Sequence, residues 1–397
     1  MKKALALLLA LSMLVVLAAC STAAAPDATP ETTNEPAAAS QPATDETQEE
    51  AQQTQPKTSE TEASVDEQNI TLDDVFEGFD MTADGFVIGF SNSFNGNAYH
   101  QQAEANFTLV AERMKEAGVI SDYFVTEAGG DNATQSAQIE SLILKGVDAL
   151  IVDPGSATAL NGALEEAVAA GIPTLIVNDG PVTAEGVYNL TFDYSQFASP
   201  CLEWVCEKLN GTGKIVLCRG MAGNECDNEI YAAWQATLKN YPDIEVVSEI
   251  YGEWNNGVSQ QQMASVLPVL DQVDAVICEG GDAWGVVQAF QAANREVPIV
   301  TGGNRGYFLN WWASVVPDGY EAVSGTTNPD ILEASLFVAI DILRGKEVKK
   351  ELDIGCIMIY QEDMVNNLDY YAQMDPESIA NVMYTYDWVC QNIYTQK

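Results

Sequence analysis

The sequence predicts an α/β protein built as two doubly wound parallel-sheet lobes. Short β-rich runs alternate with helical patterns from Gly85 onward. Some of these runs, such as Ala149-Leu150-Ile151-Val152 and Ala275-Val276-Ile277, are near-continuously apolar, as parallel strands covered on both faces are. Roughly ten strands with helical crossovers are too many for one compact unit of this length, so two lobes are the economical arrangement.

In chain order, a strand is expected over residues 86–90 and a helix over 98–117. Strands over 123–126 and 149–152 then bracket a helix over 133–145. A helix over 159–170 leads through Gly171-Ile172-Pro173 to a strand over 174–177, and another strand is expected over 187–191. The pattern then repeats: helix 194–208, strand 214–218, helix 229–239, strand 245–250, helix 257–270, strand 275–278, helix 282–293 and strand 299–301. A short strand over 322–324 precedes a helix over 331–344.

Composition bounds what such a body can do. Hydrophobic residues are 47% of the 397 and charged ones 19%, which excludes wholesale disorder. Seventeen Lys+Arg against 58 Asp+Glu give a formal net charge of −41. A surface this acidic repels phosphate backbones, so no nucleic-acid partner is expected. The single histidine, His100, removes His-cluster metal sites and confines any Ser-His-Asp or Cys-His mechanism to one position. Gly211-Thr212-Gly213-Lys214 is no phosphate loop, because Lys208 and Ile215 stand where glycine and Ser/Thr are needed. No G-x-S-x-G elbow occurs. Catalytic residues, metal and cofactor are therefore all read as none. A cell-wall glycosidase is the enzyme alternative, although nothing singles out two carboxylates for it.

Met1 to Cys20 has the basic start, short apolar run and small-residue end of a secretory signal. Its Leu17-Ala18-Ala19-Cys20 ending resembles the lipobox of bacterial lipoproteins. That resemblance implies lipidation of Cys20 and export to the outer face of the cell membrane, with the lipid as anchor. Residues 21–69 are rich in Ala, Thr, Pro, Gln, Glu and Asp and read as a disordered acidic tether. The remaining cysteines are odd in number and cannot all pair within one molecule. Cys278 and Cys356 read as buried thiols, Cys201 and Cys206 share a helix, and Cys218 with Cys226 is the favoured bridge.

Ligands of open α/β sheets lie beyond the carboxyl ends of the strands. The loops there include Ser91 to Asn97, Asp153 to Ser156, Asn178-Asp179-Gly180, Arg219 to Asn224, Gly252 to Asn256, Glu279 to Asp282, Gly302 to Arg305 and Thr326 to Pro329. Asn, Asp and Gly dominate, with Phe and Trp among them. Amides donate and accept, carboxylates accept, and a flat ring such as Trp254 covers the C–H face of a sugar. No loop holds two basic residues. This chemistry suits a neutral polyhydroxylated ligand.

The order of these motifs resembles the type 1 periplasmic sugar-binding proteins, the ribose- and galactofuranose-binding group that shares its two-lobe fold with LacI-type repressors. The anchors run from Ile88-Gly89-Phe90-Ser91 through Gly146-Val147-Asp148-Ala149, Gly220-Met221-Ala222-Gly223 and Gly252-Glu253-Trp254 to Gly302-Gly303-Asn304 and Thr327-Asn328-Pro329-Asp330. The resemblance implies a three-segment hinge near 191–193, 325–327 and 355–357. The lobes are then 85–192 plus 328–356, and 193–327 plus 357–397. It also implies ligand contacts from Asn95, Asn97, Tyr99 and His100, from Asn178 and Asp179, and from Asn228, where the family usually has a sugar-binding arginine. Trp254 stands as stacker, Asp282 and Asn304 as hydroxyl-binding positions, and Thr327 near a hinge. Arg305 stands to compensate for the missing arginines, or else pairs with Asp282 or Glu279. The implied function is a monomeric substrate-binding lipoprotein of an ABC-type importer, passing a neutral monosaccharide or sugar-like ligand to a permease with a cytoplasmic ATPase. Alternatives in the same fold are a receptor feeding a sensor kinase or chemoreceptor, and a nucleoside or furanose-signal binder. Residues 361–397 carry no assigned role beyond packing.

Overall fold

Residues 70–396 are described by the structure, a computed structural model. The expectations for Cys20, for the signal segment and for the tether over 21–69 lie outside the described residues.

The chain enters through α1 (Leu72–Val75), whose N-cap Thr71 and Asp74 form a reciprocal capping box. The first sheet follows through β1 (Phe86–Asn92), α2 (Ala98–Ala117), β2 (Ile120–Glu127), α3 (Asn132–Lys145), β3 (Ala149–Asp153), α4 (Asn161–Ala169), β4 (Thr174–Asn178) and β5 (Tyr188–Phe192). The second is built from α5 (Ser195–Lys208), β6 (Thr212–Arg219), α6 (Glu225–Leu238), β7 (Asp243–Tyr251), α7 (Asn256–Val266), β8 (Ala275–Cys278), α8 (Ala283–Ala292), β9 (Ile299–Val300) and α9 (Gly306–Val315). Then come β10 (Ser324–Thr326), α10 (Ile331–Leu343), β11 (Glu351–Ile354), β12 (Ile357–Ile359), α11 (Gln361–Asn366), α12 (Leu368–Gln373) and α13 (Tyr386–Trp388).

The first sheet has strand order β11-β5-β4-β3-β1-β2 and the second β7-β6-β8-β9. All their pairings are parallel. β3 and β4 are buried at every residue, as their unbroken apolar sequence requires. The helix α10 is buried along its first eleven residues, from Ile331 to Asp341, and packs on β3, β4 and α2. Such all-round burial is what an apolar helix between layers shows. β10 and β12 pair antiparallel where the chain passes between the sheets.

The strand expected over 322–324 lies at Ser324–Thr326, and β11, β12 and α9 were not anticipated. β11 alternates exposed and buried residues as an edge strand does, which makes a four-residue signal. α9 buries Phe308, Leu309 and Trp312 on one face. The described cysteines are all free. Cys218 sits in β6 and donates its thiol to Asp282 Oδ2 at 3.3 Å, so it does not bridge to Cys226 on α6. Cys278 is buried as expected, and Cys356 is half-buried.

The C-terminal stretch has a definite course. Asn310 of α9 donates to the carbonyl oxygens of Tyr371 and Met374, which holds α12 on the second lobe. Further on, Asn381 donates to Asp330 and the Tyr384 amide to Glu333. Tyr386 and Tyr394 both donate to Asp341, and Gln396 bonds to Asp353. The sequence reading put all of 357–397 with the second lobe, whereas these bonds tie 381–396 to α10 and β11. Phe76, Phe79, Phe337 and Tyr386 share one aromatic cluster, with Phe79 and Tyr386 centroids 4.9 Å apart.

Candidate functional site

The carboxyl ends of β1, β3 and β4 bring one polar cluster together around the first turn of α2. Asn97 caps that helix, its Oδ1 accepting the His100 amide at 2.9 Å and facing His100 Nδ1 at the same distance. The ring is thereby fixed with Nε2 turned toward Asp153 (3.3 Å) and Asp179 (3.7 Å). This is an ion-pair approach without a well-aligned hydrogen bond at Nε2. Asn178 ends β4 in the left-handed region (φ 62°), a conformation asparagine tolerates, and donates to Asp153 Oδ2 at 2.9 Å. Thr327 donates to the Tyr99 hydroxyl at 3.1 Å, joining α2 to the segment after β10. Tyr194 donates to the Asn178 carbonyl oxygen (3.4 Å) and meets the Cys226 thiol of the second lobe.

Electrostatics follow from this burial. Burial alone would push the His100 pKa down, but the Asp153 and Asp179 carboxylates beside the ring outweigh it and hold it at about 10. His100 is therefore an imidazolium at neutral pH. The Asp153 carboxyl is pushed up by its burial and then by the charge of Asp179, and His100 and Asn178 work in the opposite direction. Burial likewise raises Tyr99 far above the ordinary tyrosine range.

The second lobe contributes a wall rather than a matching cluster. Trp254 (φ 51°) lies with its ring over Gly220 and Gly280. A Cβ on Gly220 would fall 2.2 Å from the ring and 2.6 Å from Glu279 Oε2. Gly220→Ala should therefore displace Trp254, shifting tryptophan emission and lowering unfolding free energy by about 1–3 kcal/mol, as chemical denaturation followed by fluorescence would report. Glu279 accepts the Gly220 amide at 2.8 Å, and burial, then Asp227, pushes its pKa up to about 10. Its other oxygen is buried without a partner.

Most of the other residues expected to contact ligand are bonded to groups of the protein itself. Asp282 is fully buried, accepting from Gly280 and Cys218, with a pKa pushed up to about 6 by burial. Asn304 (φ 55°) accepts from Ser324 Oγ and donates to the Ile357 carbonyl oxygen, which places it among the interlobe strands. Arg305 pairs with neither Asp282 nor Glu279; its Nη2 donates to Glu377 at 2.9 Å. Asn95 donates to Glu104 and leaves a buried Oδ1 without partner. Asn228 is exposed on α6 and joins no cluster. Its neighbour Asp227 is instead wholly buried against Arg219, at 2.6 and 3.1 Å.

Sequence reasoning missed Asp153, Glu279, Tyr194 and Cys226 as site residues. Asp153 ends β3 as Asn178 ends β4, and Glu279 directly follows β8. Both begin loops that the strand-end rule points to, but the resemblance that selected Asn178 assigned neither a ligand contact. Among the described residues, two groups bring possible metal ligands within 4.8 Å of one another, His100-Asp153-Asp179 and Cys218-Cys278-Asp282. The first is an ion-pair cluster and the second a hydrogen-bonded one within the core.

A family model described as periplasmic binding protein domain matches residues 88–347. A solute binding protein of an ABC transporter from Thermobispora bispora has a similar crystal structure. Its TM-score is 0.70 at 29% identity, covering 77% of this chain and 94% of that one. The arabinose-transporter binding protein from Shewanella sp. ANA-3, bound to arabinofuranose, superposes with a TM-score of 0.64 at 21% identity, covering 72% and 96%. The xylitol-binding protein of Mycolicibacterium smegmatis is 30% identical over 227 residues, 56% of this chain. The match spans 64% of that relative's length.

Proposed function

Since the chain belongs to the periplasmic binding protein domain family, we propose that it captures a neutral sugar or polyol between its lobes and delivers it unchanged to an ABC-type importer. The observation that carries this reading is the cluster of buried His100, Asp153 and Asn178 with half-buried Asp179, joined by Tyr99 and Thr327. It offers hydroxyls both charged and neutral partners, in the arrangement that a hydroxyl needs to donate and accept at once. Buried polar atoms left open on both lobes, Asn95 Oδ1 and Glu279 Oε1, mark places a ligand hydroxyl would satisfy.

The same charges argue against an anionic guest. Arg219 is committed to Asp227 and Glu249 and lies between the rings of Tyr231 and Tyr251. Arg305 Nη2 is taken by Glu377. His100 is already faced by two carboxylates. Binding that uses both lobes favours the closed state by its differential affinity for that state. Export, and anchorage of the mature protein through a lipid on Cys20, complete the reading and rest on the sequence of residues 1–20.

Tryptophan fluorescence titrated with xylitol, ribose, arabinose, myo-inositol and ribose 5-phosphate tests it. We expect a saturable change with at least one neutral compound, at micromolar affinity (roughly −8 kcal/mol), and none with the phosphate. A flat response to every neutral compound, or recovery of a chemically altered one, would sink the proposal.

A further inference from the structure

We propose that Gln102 and the C-terminal segment 375–385 form a latch across the two lobes, and that this latch sets how firmly the cleft closes. The proposal rests on the binding reading above, and concerns residues outside the ligand cluster.

The segment is first anchored to the second lobe. The Gly306 amide donates to the Ser378 carbonyl oxygen at 2.8 Å and the Tyr307 amide to that of Pro376 at 2.9 Å. The Ala380 amide donates to the Asn304 carbonyl oxygen at 2.8 Å, and Arg305 bridges to Ile379 as an isolated β-pair. Glu377 accepts from both Arg305 and Tyr307. The approach is so close that a Cβ on Gly306 would meet the Asp375 carbonyl oxygen at 2.0 Å. Immediately afterward the segment is anchored to the first lobe. Asn381 donates to Asp330 at 2.6 Å, Asn328 to the Val382 carbonyl oxygen at 2.7 Å, and the Tyr384 amide to Glu333 at 2.7 Å. The chain thus passes between the lobes once more, within a few residues.

Gln102 supplies the clasp. From α2 of the first lobe, its Nε2 donates to the Ile379 carbonyl oxygen at 3.1 Å, and its Oε1 accepts the Ile379 amide at 2.9 Å. One side-chain amide therefore completes both bonds of a strand-like pair with a residue held beside Asn304 and Arg305. Separating the lobes by hinge rotation must break both bonds or peel the segment from α9. The clasp stands on the same turn of α2 as Tyr99 and His100, so a guest that fixes those residues also fixes Gln102 against Ile379. Closure and capture are then coupled through one helix end.

The test uses the full chain with Gln102→Ala, and with Gln102→Glu as a nearly isosteric second variant. Gln102→Glu keeps an acceptor for the Ile379 amide but sets a carboxylate against its carbonyl oxygen. Far-UV circular dichroism establishes that each variant folds. Small-angle X-ray scattering of unliganded protein should give a larger radius of gyration for both variants than for the parent. Amide exchange at Ile379 in Gln102→Ala should accelerate about tenfold, the equivalent of one or two lost hydrogen bonds. With xylitol as probe, release from the variants should quicken by a similar factor. Unchanged scattering together with unchanged exchange at Ile379 would overturn the latch and leave the segment as static packing. A parent protein that ignores xylitol counts against that ligand alone, because scattering and exchange of the unliganded chain still decide the latch.

Discussion

Replacing His100 with alanine should weaken capture of a neutral sugar by about ten- to a hundredfold, because a hydrogen bond to a charged group contributes about 1.5–3 kcal/mol. The variant leaves Asp153 and Asp179 facing each other without the imidazolium between them. It also removes the ring that Asn97 orients. Titration calorimetry with whichever sugar the parent binds measures the effect, and an affinity within threefold of the parent's would show that the cluster is not the site. A pH series gives an independent reading. The His100 pKa is raised from 6.5 to about 10, so its stabilisation is fully present below about pH 6.5 and is lost as pH rises through about 10. Asp153 is raised too, but its window opens from the ordinary carboxylate value of 3.8. The parent should therefore lose more unfolding free energy than His100→Gln between pH 6.5 and 10, by denaturant titration at each pH.

The largest effect on stability is expected at Asp227, which no sequence argument singled out. Its carboxylate is wholly buried and takes two hydrogen bonds from Arg219, whose guanidinium lies 3.8 Å from the Tyr231 ring centroid. Asp227→Ala strands that guanidinium without its hydrogen-bonded partner, leaving the part-exposed Glu249 at 3.8 Å and the charge of Glu279. A loss of about 3–5 kcal/mol is expected, since the remaining charge keeps its desolvation penalty. Urea unfolding monitored by circular dichroism would reveal it as a lower midpoint with an unchanged slope. The double variant Asp227→Ala with Arg219→Met should recover part of the loss, because two apolar partners leave no orphaned charge.

How much of this was legible in the sequence depends on where the signal resides. Runs such as Ala149 to Val152 and Thr174 to Val177 declare buried parallel strands locally, and both occur where expected. His100, Asn97, Tyr99, Asn178, Asp179 and Thr327, which the family resemblance implied as ligand contacts, also stand together. Asn304 and Asp282, implied by the same resemblance, make interlobe and core hydrogen bonds. An amide or carboxylate after a strand does not announce which way it faces. The partner of Arg305 was illegible for another reason: Glu377 lies 72 residues downstream in a stretch with no periodic pattern. Pairings of that kind come from tertiary closure, which no local window contains.

The aromatic contact between Phe79 and Tyr386 has a practical bearing on instrument design. Both ends of the folded body are stapled to one rigid half, so fluorescent proteins fused at the two extremities would ride together and report little energy-transfer change. A reporter inserted instead in an exposed turn of the other half, such as the one at Gly319, would move relative to either end and turn the same molecule into a working sensor.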